Sequence, residues 1–327
     1  MKVLVTGGAG YVGSAVCHGL ARLGHNLIVI DNLLYGHKEA LPREADLRVG
    51  DLLDRELLAL LFEQNEIDAV LHFAAYTYVG ESVENPQKYF SNNLLGALNL
   101  VEQMVEHNVK KIVFSSSAAV YGEPKKIPIP EETPLNPQNP YGETKVMIEK
   151  FLKWYDRAYG IKYVSLRYFN AAGADLKADI GEDHDPETHL IPLVMKVALG
   201  QQNHIDIYGT DYPTSDGTCI RDYIHIVDLA DAHIRGLGNL EIGKSGIYNL
   251  GTGKGASVKE VIETCRKVTG KTIKAVETGR RPGDPAVLVA SYEKAKKELG
   301  WEPKRNLEEI IKDAWEWTKK HPEGYRS

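Results

Sequence analysis

Short apolar runs alternate with longer amphipathic stretches through the first half of the chain, and that alternation sets the expected architecture. Val3 to Thr6, Leu27 to Ile30, Leu47 to Val49, Ala69 to His72 and Lys111 to Ser115 have the length and β-branched content of buried strands. Between them, Val12 to Leu23 and Arg55 to Gln64 carry helical spacing. Two longer helices are predicted over Pro86 to Glu106 and Tyr141 to Tyr159, with a sixth strand at Tyr163 to Arg167. Strands and helices in strict alternation predict an α/β fold, a parallel sheet covered by helices on both faces. After Asn170 the texture changes. Gly173 to Thr188 is polar and acidic, a helical Leu190 to Ala198 follows, and short elements surround Ile205 to Tyr208, Tyr223 to His225 and Tyr248 to Leu250. Residues 1–170 are therefore expected to form the first domain and 171–327 a smaller C-terminal α/β lobe. The boundary is soft, since a helical Val227 to Gly236 could pack back against the first domain.

The run Gly7-Gly8-Ala9-Gly10-Tyr11-Val12-Gly13 follows the first strand and opens the first helix. Gly7 permits a tight turn, Gly10 lets backbone approach a pyrophosphate, and Gly13 lets the helix sit close on the sheet. The helix N-terminus offers free N–H groups and a positive dipole end to phosphates. Asp31 ends the second strand 18 residues beyond Gly13. Its carboxylate suits an adenosine ribose and repels a 2′-phosphate, which favours NAD over NADP. The first domain is thus expected to be Rossmann-like and doubly wound. Asp51 stands where the adenine would lie, and Phe73, Ala74 and Ala75 end the fourth strand with backbone close to the cofactor. Asn32, Leu52, Ser115, Tyr168 and Phe169 are expected among the cofactor contacts with Tyr11 and Val12.

A Tyr-x-x-x-Lys spacing on a helix puts both side chains on one face, where the lysine can lower the phenol pKa toward general-base work. The chain holds three such spacings among its 17 tyrosines, so position decides between them. Tyr121 to Lys125 runs through Gly122 and Pro124 into a loop, and Tyr292 to Lys296 lies far from the cofactor half. Tyr141 to Lys145 opens a long helix after Asn139-Pro140 and follows a strand ending in Ser115-Ser116-Ser117. Ligands gather at the carboxyl ends of parallel strands, so Tyr141, Lys145 and Ser117 are the expected catalytic group, with Ser116 an alternative hydroxyl.

Gly7 to Gly13, Ser115 to Gly122 and Tyr141-Gly142-Glu143-Thr144-Lys145 resemble the extended short-chain dehydrogenase/reductase family. Arg167-Tyr168-Phe169-Asn170, Asp211-Tyr212-Pro213-Thr214 and Gly217 to His225 narrow the resemblance to its sugar-nucleotide 4-epimerases, over nearly the whole chain. The resemblance implies that Tyr141 takes the proton of a sugar 4-hydroxyl while hydride passes to NAD, and that Ser117 bonds the same hydroxyl. It implies Asn92 in the cofactor pocket, Asn170, Arg221 and Arg281 at the diphosphate of a UDP-sugar, Asp284 at the uridine ribose and Tyr208 beside uracil. His189 and Leu190 fall at the substrate, although many relatives carry asparagine where His189 stands. Leu288 falls where some relatives carry a large aromatic and leaves N-acetylated hexoses open, while pentoses and uronates are alternative sugars because their epimerases share the machinery. A homodimer is implied too, with the helices near Pro86 and Tyr141 pairing across a two-fold axis.

Composition removes other classes. Hydrophobic content of 43% and charged content of 26% are ordinary for a globular protein, and a net charge of -6 points away from nucleic acid. Cys17, Cys219 and Cys265 are too scattered for a disulfide framework, and a reducing, cytoplasmic setting is the simplest expectation. The apolar start of the chain is too short for a signal peptide, and no stretch could span a bilayer. The run Glu182 to His189 matches no cation-loop spacing and reads as a solvated acidic loop, with no metal expected. Ala118 and Ala119 stand where related 4,6-dehydratases carry an Asp-Glu pair, so dehydration is disfavoured. A non-catalytic NAD sensor would have no use for Tyr141 and Lys145 together.

Overall fold

Six strands from the first half of the chain, β1 (Lys2–Thr6), β2 (Asn26–Asp31), β3 (Asp46–Val49), β4 (Ala69–His72), β5 (Lys111–Ser115) and β6 (Lys162–Tyr168), share one sheet with a late strand, Gly246–Leu250. This is a computed structural model, and it describes residues 1–281 and 283–325. From one edge the order is Gly246–Leu250, β6, β5, β4, β1, β2, β3, and every pairing is parallel. The order reverses between β1 and β4, which opens a crevice at their carboxyl ends. Both faces are covered. Val3 and Val5 point into one core with Leu20, Ile224 and Trp301, while Leu4, between them, joins Ile30, Leu100, Met104 and Phe114 in the other. That two-sided burial is why the strands read as unbroken apolar runs rather than as alternation.

The second half returns to this sheet before it builds a lobe of its own. The helix Ile226–Glu241 packs on β5, β6 and the first helix, Tyr11–Arg22, and Gly246–Leu250 then pairs with β6. The remaining lobe has a separate core, where Ile191, Val194, Val261, Ile262, Ile310 and Ile311 join the helices Leu190–Ala198, Val258–Thr269 and Leu307–Lys320. Small sheets edge it: Ile205–Tyr208 runs parallel to Ala275–Thr278, and Ile220–Arg221 lies between Ala256–Ser257 and Val287–Leu288.

One predicted element differs in kind. The continuous helix expected over Pro86 to Glu106 is an α-turn at Pro86–Tyr89, a π-helical stretch at Phe90–Leu95 and an α-helix at Gly96–Glu106. The wider turn carries Asn93 inward, where its side chain accepts from the Tyr76 N–H at 2.8 Å and donates to the Tyr76 carbonyl at 3.0 Å. Tertiary hydrogen bonds to the loop after β4 thus override the α-helical pattern, and the bulge leaves Asn92 on the crevice wall. No helix among the described residues is long and apolar enough to cross a membrane.

Candidate functional site

The crevice widens into a cavity of about 470 Å³ between the sheet and the C-terminal lobe. Its floor is the glycine loop. Gly7 has φ +69°, and a Cβ there would stand 2.5 Å from the Ala74 backbone nitrogen, so β1 and β4 can part around the loop only with glycine at this position. A Cβ on Gly10 would meet a single atom, the Gly7 carbonyl oxygen at 3.4 Å. Packing within the chain therefore does not demand glycine at position 10; the space it leaves belongs to the cavity. Asp31 caps the arrangement, accepting from the Ala9 N–H at 3.0 Å and the Leu33 N–H at 2.9 Å. Burial raises its carboxyl above the usual range, against those two N–H groups. Tyr11, Val12, Gly13, Asn32, Asp51, Leu52, Phe73, Ala74, Ala75, Tyr168 and Phe169 line the same wall, with Asn32 donating to Asp51 at 2.9 Å.

Asn139 accepts from the Gly142 N–H at 2.8 Å and so starts the helix Pro140–Tyr159, whose first turn presents Tyr141 to the cavity. Lys145, one turn on, lies beneath it with its Nζ 5.7 Å from the tyrosine ring centroid and 4.9 Å from that of Phe114. It donates to the Ser115 carbonyl at 2.8 Å and does not itself reach the cavity surface. The two serines left open by the sequence separate here. Ser116 is fully buried and donates to Glu149 at 2.7 Å, whereas Ser117 faces the cavity. Ser115 is tied to the Tyr168 hydroxyl at 2.6 Å.

The electrostatics of this group differ from the simple expectation of a lysine-lowered phenol. Burial pushes the Tyr141 phenol up, with the Ser117 hydroxyl pulling the other way. Burial also brings the Lys145 ammonium down to about 7, against the Glu149 carboxylate. Because burial disfavours its charged form, Lys145 under the ring supplies less of the positive charge that would lower the phenol. The sign of the stability effect follows. A folded-state pKa below the ordinary 10.5 means that the unfolded chain binds the extra proton, so this stability is complete above 10.5 and is lost as pH falls toward 7. In the cofactor-free protein the Lys145→Met variant should lack that rise between neutral and alkaline pH, as read by urea midpoints across the range. Matching slopes in both proteins would contradict the low pKa.

Opposite the glycine loop, Arg221 and Asp284 face the cavity as an ion pair. Arg221 also donates to the Pro285 carbonyl at 2.8 Å, and its side chain is 12% exposed, so this is a held guanidinium rather than a loose surface pair. Asn170 lines the wall and donates to the Asp222 carbonyl at 3.1 Å. The Arg281 guanidinium stacks on the Tyr208 ring at 3.9 Å; neither lines the cavity proper, nor does Leu190, which opens its helix just behind His189. Leu288 and His189 do line it. The expectation of a solvated acidic loop over Glu182 to His189 holds only in part: Asp185, Pro186, Thr188 and His189 are exposed, but the Glu182 and Glu187 side chains are 7% and 2% exposed, turned inward beside the cavity wall. Tyr35, Tyr76 and Tyr78 also line the cavity, their rings meeting edge-on about Tyr35, and sequence reasoning did not single them out. The signal available was position, since Tyr76 and Tyr78 directly follow Ala75 at the carboxyl end of β4.

Residues 3–251 match the NAD dependent epimerase/dehydratase family. The UDP-glucose 4-epimerase of Halalkalibacterium halodurans is 56% identical over 327 residues, covering 99% of this chain and 98% of that protein. The Bacillus subtilis UDP-glucose 4-epimerase is 47% identical over 337 residues, covering 100% and 99%. Among solved structures, the UDP-glucose 4-epimerase from Bifidobacterium longum in complex with NAD+ and UDP gives a TM-score of 0.94 at 41% identity, covering 99% of this chain and all of that one.

Proposed function

The chain belongs to the NAD dependent epimerase/dehydratase family, and from that premise we infer that it interconverts UDP-glucose and UDP-galactose with NAD as its cofactor. The observation that carries this reading is the meeting of three parts on one cavity: the Gly7 to Gly13 loop, the Tyr141 and Ser117 hydroxyls, and the Arg221–Asp284 pair. The residues present fit a dinucleotide. The open side of Gly10 leaves room for a diphosphate against backbone, and the buried Asp31 carboxylate at the end of β2 suits an adenosine ribose. The loop, Asp31, Asn32, Asp51, Leu52, Phe73 to Ala75, Asn92, Ser115, Tyr168 and Phe169 would hold it, with Tyr141 and Lys145 at its reactive end. Bound NAD supplies the acceptor for the sugar C4 hydride, the donor that returns it, and a positive charge beside Tyr141.

The chain's own residues handle the proton. Tyr141 takes it from the 4-hydroxyl and gives it back when the opposite face of C4 is reduced. Ser117 hydrogen-bonds the same oxygen and holds it within reach of the phenol. Arg221 and Asn170 grip the diphosphate and Asp284 the uridine ribose; Arg281 and the Tyr208 ring it stacks on, at the rim outside the cavity, would meet the diphosphate and uracil only on binding. His189 completes the substrate wall, with Leu190 directly behind it. Firm binding of UDP with loose binding of the hexose lets the ketosugar turn over between the two half-reactions. Residues 1–170 form the cofactor domain and residues 171–327 the sugar-nucleotide lobe, with Ile226–Leu250 interleaved into the first. Purified protein given UDP-galactose without added NAD is expected to form UDP-glucose, resolved by chromatography. No conversion even with NAD supplied would overturn the assignment.

We place the enzyme in the cytoplasm, consistent with the free, buried thiols of Cys17, Cys219 and Cys265. It is a homodimer, joined through the helices near Pro86 and Pro140–Tyr159. These leave Val83, Leu95, Trp154 and Tyr159 exposed at 61%, 46%, 64% and 49%, which is apolar area that a two-fold partner would cover. Sedimentation equilibrium should give twice the chain mass of 36.3 kDa, and a monomer at all concentrations would refute it.

A further inference from the structure

The half-buried segment 182–189 gathers four metal-ligating side chains. Glu182, His184, Glu187 and His189 lie in a stretch with no helix or strand, and one donor atom from each lies within 4.8 Å of all the others. His189 Nδ1 is 2.9 Å from Glu182 Oε1 and 3.0 Å from Glu187 Oε1. His184 Nδ1 is 3.5 Å from Glu182 Oε1 and 3.4 Å from Glu187 Oε2. A tetrahedral ion with bonds of about 2.0–2.1 Å to nitrogen and oxygen sets its ligands roughly 3.3 Å apart, close to the 2.9–3.5 Å between each histidine Nδ1 and the carboxylate oxygens beside it.

One atom of the cluster lacks a hydrogen bond. Both carboxylates are over nine-tenths buried, and His184 Nδ1, which has no exposed surface, makes no hydrogen bond although both carboxylates lie beside it. A buried nitrogen that stands in ion-pair reach of two carboxylates yet makes no hydrogen bond is uncommon. A divalent ion accepts the lone pairs of two neutral imidazoles and cancels two carboxylates, which leaves neither an orphan atom nor a net charge. Glu187 Oε1 is further fixed by the Thr188 and His189 N–H groups at 2.7 and 2.8 Å, the kind of outer hydrogen bonding that orients a ligand. Two imidazoles and two carboxylates, with no thiolate, suit zinc; magnesium and calcium prefer all-oxygen cages.

We propose that Glu182, His184, Glu187 and His189 bind one zinc ion, which ties residues 182–189 into the wall of the cavity. The His184 ring stands edge-on to Tyr11 of the glycine loop, with centroids 6.4 Å apart, so the bound ion would brace that loop from the lobe side. The role is structural: the ion would hold the part of the substrate wall that includes His189 and take no part in the proton or hydride steps, and it rests on the cavity assignment above.

The full-length protein, stripped with a chelator and then dialysed against micromolar zinc chloride, is expected to take up one zinc per chain by elemental analysis. The His184→Gln and Glu187→Gln variants should each lose it. Cobalt loaded into the wild type reads the site even where a variant fails to fold, and intense visible bands of a four-coordinate ion are expected. No zinc uptake by the wild type, uptake undiminished in both folded variants, or only the pale spectrum of six-coordinate cobalt would overturn the proposal. The cluster would then be an ion-pair network of the protein alone.

Discussion

Replacing Tyr141 by phenylalanine is expected to lower kcat for UDP-galactose conversion by about 10²–10⁴-fold, the usual span for losing a positioned acid–base group. The substitution removes one oxygen and keeps the ring, which is 8% exposed and packs over Lys145. Neither the helix Pro140–Tyr159 nor its Asn139 cap depends on that hydroxyl, so the fold should survive, and KM for the nucleotide sugar should change little because the UDP grip lies across the cavity. Steady-state kinetics of the folded variant decide the matter. A kcat within a few-fold of wild type would remove Tyr141 from the proton path.

The largest stability effect is expected behind the site rather than in it. Arg167 and Glu149 form a two-pronged ion pair at 2.8 and 2.5 Å with side chains 4% and 3% exposed. Arg167 also donates to the Tyr121 hydroxyl at 2.8 Å, Tyr121 donates to Asn249 at 2.7 Å, and Ser116 donates to Glu149. One network thus joins β5, β6, the catalytic helix and the late strand Gly246–Leu250. Removing one charge strands the other in a low-dielectric interior, so Glu149→Leu or Arg167→Met should each cost about 3–5 kcal/mol. The double variant Arg167→Met/Glu149→Leu should recover much of that loss, because it leaves no orphan charge. Urea unfolding of the three proteins as a double-mutant cycle tests this. Additive losses would mean that the pair does not act as a pair.

The cofactor half was legible in the sequence because its signals are local. A glycine loop needs its neighbours within seven residues, Gly7 to Gly13, and Asp31 follows at the end of the next strand. Two of the three helices of the C-terminal lobe, Val258–Thr269 and Leu307–Lys320, also carry a local signal: each opens on a capping box, Ser257 with Glu260 and Asn306 with Glu309. What lies far apart in the chain could be named only through resemblance. Arg221 and Asp284 are 63 residues apart, and no local pattern says that they pair across the cavity from Gly10.

By itself, then, the chain's pattern determined the parallel α/β sheet, the dinucleotide loop and the Tyr141–Lys145 spacing, since strand burial, glycine stereochemistry and helical period each act over a few residues. Tertiary structure decided the rest. It turned Ser116 toward Glu149 and left Ser117 on the cavity, and it widened a helix into a π-turn so that Asn93 could reach Tyr76. It also folded a segment that reads as solvated until Glu187 was 2% exposed. These outcomes depend on which groups are desolvated together, and desolvation is a property of packed neighbours that a one-dimensional pattern does not carry.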